Sequence, residues 1–157
     1  MKDLVLLTGV SGAGKSTAMG FMEDIGYYCI DNMPAELVST FISLIEKSDS
    51  YNKIAIVTDV RSRGVYNEFR KNVQKLMDSN DYTVIYLDIK NHVALRRYKL
   101  TRRKHPYADK FNGSIEDALN YEKEILAPVR EKAGYVIDTS DLTANQLRER
   151  LAQILLG

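Results

Sequence analysis

Cysteine, proline and net charge are all scarce in this chain, and each scarcity closes off a class of protein. The one cysteine, Cys29, has no partner for an internal disulfide, and no Cys/His cluster with zinc spacing occurs. Neither a disulfide framework nor a zinc module is expected, and a reducing cytoplasm is the compartment that fits. Three prolines and nine glycines in 157 residues are too few for a fibrous or low-complexity chain. No run of 18 apolar residues occurs, and the stretch Leu4 to Thr8 is too short for a signal-peptide core, so neither a membrane span nor export is expected. Lys plus Arg number 22 against 21 Asp plus Glu, a balance that argues neither for nor against nucleic acid.

What is present is ordinary soluble composition, 45% apolar and 27% charged. A length near one domain's worth buries roughly 70% of the unfolded chain's surface. One domain spanning 1–157 is expected. Five short apolar runs, Leu4 to Thr8, Tyr27 to Asp31, Lys53 to Asp59, Tyr82 to Asp88 and Gly134 to Asp138, alternate with stretches of helical period. That alternation predicts an α/β unit with a parallel sheet, its strands covered on both faces. The helical stripes are Ala18, Met22, Ile25; Leu37, Phe41, Leu44, Ile45; Tyr66, Phe69, Val73, Leu76, Met77; and Leu147, Leu151, Ile154, Leu155. Pro34, Ser114 with Asp117, and Thr143 with Gln146 mark helix starts, while Pro128 should stop or kink its helix. Residues 101–113 lack period and read as a loop, with a mobile lid as one interpretation. Charge is local: eight basic residues stand against Asp109 between Lys90 and Lys110, which suits an anion such as phosphate, or else a solvated helix face.

The octet Gly9-Val10-Ser11-Gly12-Ala13-Gly14-Lys15-Ser16 fits G-x-x-x-x-G-K-[ST] without a mismatch, directly after a strand pattern and directly before a helical one. Its glycines let backbone amides turn toward phosphate oxygens at the positive end of the next helix. Lys15 is expected on the β- and γ-phosphates, Ser16 on Mg²⁺ and Thr17 at the α-phosphate. A magnesium site of this kind also draws on a strand-end carboxylate, for which Asp59, Asp88 and Asp138 are the choices. Asp59 is preferred because its run is a strand ending in an acid, although capping the next turn would explain it too. Asp31 is a candidate base toward an acceptor substrate. Arg96, Arg97, Arg102 and Arg103 are candidates to fold over a triphosphate, or form a basic helix face. His105 has no carboxylate at ligand spacing, so a metal role is not expected. His92 reads as a surface residue and Cys29 as a buried apolar one. Thr139 and Ser140 are candidates for base selection.

These residues, with Glu23 to Pro34, Asp59-Val60-Arg61-Ser62, Arg96-Arg97-Tyr98, Thr101 to Pro106 and Val136 to Ser140, resemble the amino-terminal half of the RapZ/YvcJ family of bacterial P-loop nucleotide-binding proteins. The best-known member of that family is an RNase adapter. The D-N-x-P and T-R-R-x-H-P blocks carry more of the resemblance than the generic octet. It implies binding of ATP and GTP with slow hydrolysis, and a second nucleotide-contacting segment at Asp59, Val60, Arg61 and Ser62. It also implies a three-layer P-loop kinase-like fold, a five-stranded parallel sheet in the order 2-3-1-4-5 with helices on both faces. Family members carry a further carboxyl-terminal domain to which RNA and protein contacts are attributed, and the chain reaches Gly157 about where that domain would begin. An excised domain and a naturally short member are both open. The leading expectation is a cytoplasmic, regulatory nucleotide-binding domain. Its alternatives are a small-molecule kinase of the shikimate, gluconate or adenylate kinase type, with Asp31 as base, and an RNA-binding module using Lys90 to Lys110.

Overall fold

The computed structural model describes residues 3–59, 64–68, 71, 82–101 and 105–157. All five expected strands form: β1 (Asp3–Gly9), β2 (Tyr28–Asp31), β3 (Lys53–Val57), β4 (Tyr82–Asp88) and β5 (Tyr135–Asp138). Every pairing is parallel and the order is β2-β3-β1-β4-β5. Leu6 at the centre pairs with Ile56 on one side and Val84 on the other. The helices are α1 (Lys15–Asp24), α2 (Ala35–Lys47), α3 (Asn91–Thr101), α4 (Ile115–Lys132) and α5 (Ala144–Leu155), with a 3₁₀ turn at Asp109–Phe111. Residues 64–68 are also helical.

Right-handed crossovers fix the layers. The chain leaves β1 toward β2 in one direction along the sheet, and runs from β2 through β3 and β4 to β5 in the other. That puts α1 on one face and α2, α3 and α4 on the opposite one. Contacts of α1 with α5, and of α3 with α4, agree. The reversal of direction beside β1 opens a crevice at the carboxyl ends of the strands, where open α/β sheets bind ligands. The turn after β1 lies there.

Coverage on both faces holds for β1, β3 and β4 and fails for the two edges. Tyr28 of β2 is 51% exposed, and Tyr135 and Val136 of β5 are 45% and 41% exposed. An edge strand has a neighbour on one side only, and these two are just four residues long, as edges that avoid pairing with other chains tend to be.

The expected core stripe of α2 holds at Ile45 and is otherwise rotated by one residue. Val38, Ile42 and Ile45 are buried, whereas Leu37 and Leu44 are exposed and Phe41 is half-buried. The segment carries two apolar rows, each with i, i+4, i+7 spacing, and periodicity alone does not choose between them. In the third expected stripe Tyr66 is buried, together with Val65; Phe69, Val73, Leu76 and Met77 lie outside the described residues. Leu147 and Leu151 of α5 are buried as expected.

Pro128 does not stop its helix, which runs on to Lys132. The carbonyl that loses its donor belongs to Glu124, on the same exposed side as Pro128, so water can satisfy it. The caps form as written in the sequence. Ser114 Oγ accepts from the Asp117 amide at 3.3 Å, and Thr143 with Gln146 makes a reciprocal capping box. Among the described residues no helix is long and apolar enough to cross a membrane.

The two rows of α2 separate cleanly by mutation. Ile42→Ala is expected to cost about 2 to 5 kcal/mol, while Leu44→Ala stays within about 0.5 kcal/mol. Urea unfolding measures both, and equal losses would contradict the assigned face.

Candidate functional site

The octet leaves β1 at Gly9, whose φ is +149°. A β-carbon there would meet the Leu87 carbonyl oxygen of β4 at 2.2 Å, so the close passage of β4 admits only glycine. Gly14, at φ +105°, is the amino-terminal cap of α1 and brings no side-chain cap, and the first turn of the helix holds no acid. The positive end of α1 is therefore covered neither by its cap residue nor by an acid of its first turn.

The loop between is fastened from outside. Arg97 of α3 donates from Nη1 to the Gly12 carbonyl at 2.7 Å and from Nη2 to the Thr139 carbonyl at 3.0 Å. Burial pulls the Arg97 guanidinium below its ordinary pKa. Thr139, just beyond β5 and buried, donates its hydroxyl to the Ala13 carbonyl at 2.7 Å. In a planar trans peptide the N–H points opposite to the C=O, so drawing the Ala13 carbonyl outward turns the Gly14 amide inward. The Val10 amide goes to Leu87 and that of Ala13 to Val10. Among the described residues the amides of Gly12, Gly14, Ser16 and Thr17 donate to no protein acceptor. Lys15 Nζ reaches back across the loop to the Gly9 carbonyl at 2.7 Å.

These groups open on one cavity of about 640 Å³, lined by Ser11, Gly12, Gly14, Lys15, Ser16 and Thr17 on the loop side. Asp31 and Asn32 after β2, Asp59 after β3, and Arg97 and Tyr98 of α3 also line it. Gly9, Val10 and Ala13 do not; Val10 and Ala13 are wholly buried and shape the loop from beneath. The D-N-x-P block acquires a local cause here. Asn32 takes a left-handed φ of 58°, Met33 is buried and Pro34 caps α2, so the chain turns sharply and leaves Asp31 at the cavity.

Of the three strand-end acids, Asp59 alone lines the cavity. Asp88 accepts from Arg130 Nε at 3.0 Å and from the Ile89 amide at 2.9 Å. Asp138 accepts from the Ser140 amide and hydroxyl, which, the hydroxyl first, hold its carboxyl below the usual range. Thr139 and Ser140 line no part of the cavity and have their hydroxyls committed within the fold. Arg96 is exposed on α3 and does not line the cavity. Val60, Arg61, Ser62, Arg102 and Arg103 lie outside the described residues. His92 is exposed. Cys29 is half-buried rather than buried, and burial, helped by Glu23, pushes its thiol up to about 11, so it is no nucleophile at neutral pH.

His105 meets a carboxylate that no sequence spacing revealed. It is buried and its Nε2 lies 3.0 Å from Oε1 of Glu122, a carboxylate 17 residues away in sequence and also without exposure. Glu122 in turn accepts from the Ser11 amide and hydroxyl. Sequence reasoning missed Glu122, yet a signal existed: it interrupts the apolar stripe Leu119, Leu126, Val129 at a helical core position.

The chain is also similar to known proteins in sequence and in fold. The family model described as RapZ-like N-terminal domain matches residues 2–157. A nucleotide-binding protein of Lactiplantibacillus plantarum is 44% identical over 152 residues, covering 95% of this chain and 51% of that protein. One of Thermotoga neapolitana is 42% identical over 157 residues, covering 100% and 55%. The chain thus spans about half the length of the curated relatives it matches. In fold it is similar to shikimate kinase from Bacteroides thetaiotaomicron, with a TM-score of 0.65, 17% identity and 98% of each chain covered.

Thr139→Val keeps the shape and removes the hydroxyl, leaving the buried Ala13 carbonyl without that donor. A loss of about 1 to 3 kcal/mol in unfolding free energy is expected, with Thr139→Ser close to wild type. Thermal unfolding distinguishes them.

Proposed function

Since the chain belongs to the RapZ-like N-terminal domain family, we propose that it is a nucleotide-binding domain of P-loop kinase-like fold that holds a nucleoside triphosphate with Mg²⁺. The observation that carries this is the set of amides at Gly12, Gly14, Ser16 and Thr17 that donate to no protein acceptor among the described residues, placed with Lys15 on a cavity they share with Asp59. Backbone amides at a helix's positive end bind phosphate oxygens, and an ammonium group adds a point charge. The relatives' names, nucleotide-binding protein, support the same ligand class.

Magnesium fits the donors present. Ser16 and Asp59 are hard oxygen ligands on one cavity. Among the described residues no group of three or more His, Cys, Asp or Glu could hold a metal by itself. Magnesium keeps waters and takes phosphate oxygens as its remaining ligands, so two protein oxygens suffice. When bound it neutralises charge on the β- and γ-oxygens. Arg97, at the rim, adds a second positive group where charge develops.

We take the nucleotide to be ATP or GTP, with slow hydrolysis serving regulation, on the resemblance to the adapter family. Output to RNA or protein partners belongs, on this reading, to the further half that the relatives possess. A small-molecule kinase has one observation in its favour: Asp31 and Asn32 share the cavity with Lys15, where an acceptor hydroxyl and its base would be needed.

Isothermal calorimetry tests the proposal. Lys15→Ala is expected to weaken triphosphate binding by about 1.5 to 3 kcal/mol without lowering the melting temperature, and Ser16→Ala to abolish the gain in affinity that Mg²⁺ gives the wild type. Equal binding by Lys15→Ala, or none by the wild type, would refute it. Acceptor-dependent turnover across a panel of hydroxylated metabolites would favour the kinase instead.

A further inference from the structure

Glu122 and His105 are buried, titratable, and absent from the cavity wall, so contact with nucleotide does not account for them. A carboxylate with no exposure stays in a core only when donors answer its oxygens. Three do. The Ser11 amide reaches Oε1 at 3.0 Å, the Ser11 hydroxyl reaches Oε2 at 2.7 Å, and His105 Nε2 lies 3.0 Å from Oε1. The Tyr107 amide donates to His105 Nδ1 at 3.0 Å. That leaves the ring proton on Nε2, from which it is donated to the carboxylate.

The consequence falls on the loop. Ser11 stands between the buried Val10 and the exposed Gly12, and its amide is drawn to the Glu122 side, away from the amides that follow. Arg97 and Thr139 fasten the carbonyls of Gly12 and Ala13, and Glu122 fastens Ser11 just before them. Tyr98 extends the same support, with its ring 5.9 Å from that of His105 and its edge 3.6 Å from where a Gly12 β-carbon would stand.

We infer that Glu122 is a positioning residue for the phosphate loop, that His105 holds it in register, and that residues 105–107 are thereby tied to the shape of the nucleotide site. This rests on the reading that the loop holds a triphosphate. Neither member lines the cavity, so the pair acts through neighbours that do, Ser11 above all.

The test is a calorimetric titration of the protein with a non-hydrolysable ATP analogue and Mg²⁺, alongside melting temperatures. His105→Leu fills the space without a donor and is expected to weaken binding about tenfold or more, the loss of one hydrogen bond to a charged group. His105→Gln restores an N–H near the place of Nε2 and is expected to return to within about threefold of wild type. A His105→Leu protein that folds and binds as wild type overturns the inference, and so does one that binds more tightly, which would make Glu122 a competitor of phosphate for the Ser11 amide. Should His105→Leu fail to fold, Glu122→Gln, of equal size and with one acceptor oxygen fewer, is read by the same criteria. Absence of binding by the wild type marks failure of the nucleotide reading, which is recorded before any variant is compared.

Discussion

The geometry of the site depends on how the peptide groups between Gly9 and Thr17 are oriented. Such a loop has no regular ladder to hold it, and a flexible glycine-rich segment left alone would collapse onto the amino terminus of α1. Side chains from α3, α4 and the turn after β5 hold its polar groups instead: Arg97 on Gly12, Glu122 on Ser11 and Thr139 on Ala13. Fastening one side of a planar peptide commits the other. Held through the Ala13 carbonyl by Thr139, the Gly14 amide is committed in this way.

The sheet order supplies these fasteners. With β1 central and β4 and β5 to one side, the turns after β4 and β5 both arrive near the loop, and α3 and α4 follow from them. Gly9 records how near: β4 passes so close that no β-carbon fits. On the other side β3 and β2 deliver Asp59 and Asp31 to the same cavity. Backbone amides on one side and carboxylates on the other are what the proposal of a triphosphate with a hard divalent cation rests on.

Much of this was legible in the sequence because it is local. Five strands, the octet and two capping motifs each rest on residues within a few positions of one another. What escaped notice is long-range. Glu122 is 111 residues from Ser11, and Thr139 is 126 from Ala13, so no spacing rule connects them before the fold does. The rotated stripe of α2 escaped for a different reason: two apolar rows satisfy the same period, and packing against the sheet decides. Pro128 shows a third limit, since whether a proline ends a helix depends on whether water reaches the carbonyl it orphans.

The central claim is that the amides of Gly12, Gly14, Ser16 and Thr17 receive a polyphosphate. Titrating isotopically labelled protein with inorganic tripolyphosphate and following amide resonances tests it most directly. The account predicts large downfield shifts at those four amides, with Val10 and Ala13, already engaged to backbone carbonyls, moving little. Shifts confined to exposed basic residues such as Lys90, Arg96 and Lys99, with the loop unmoved, would contradict it.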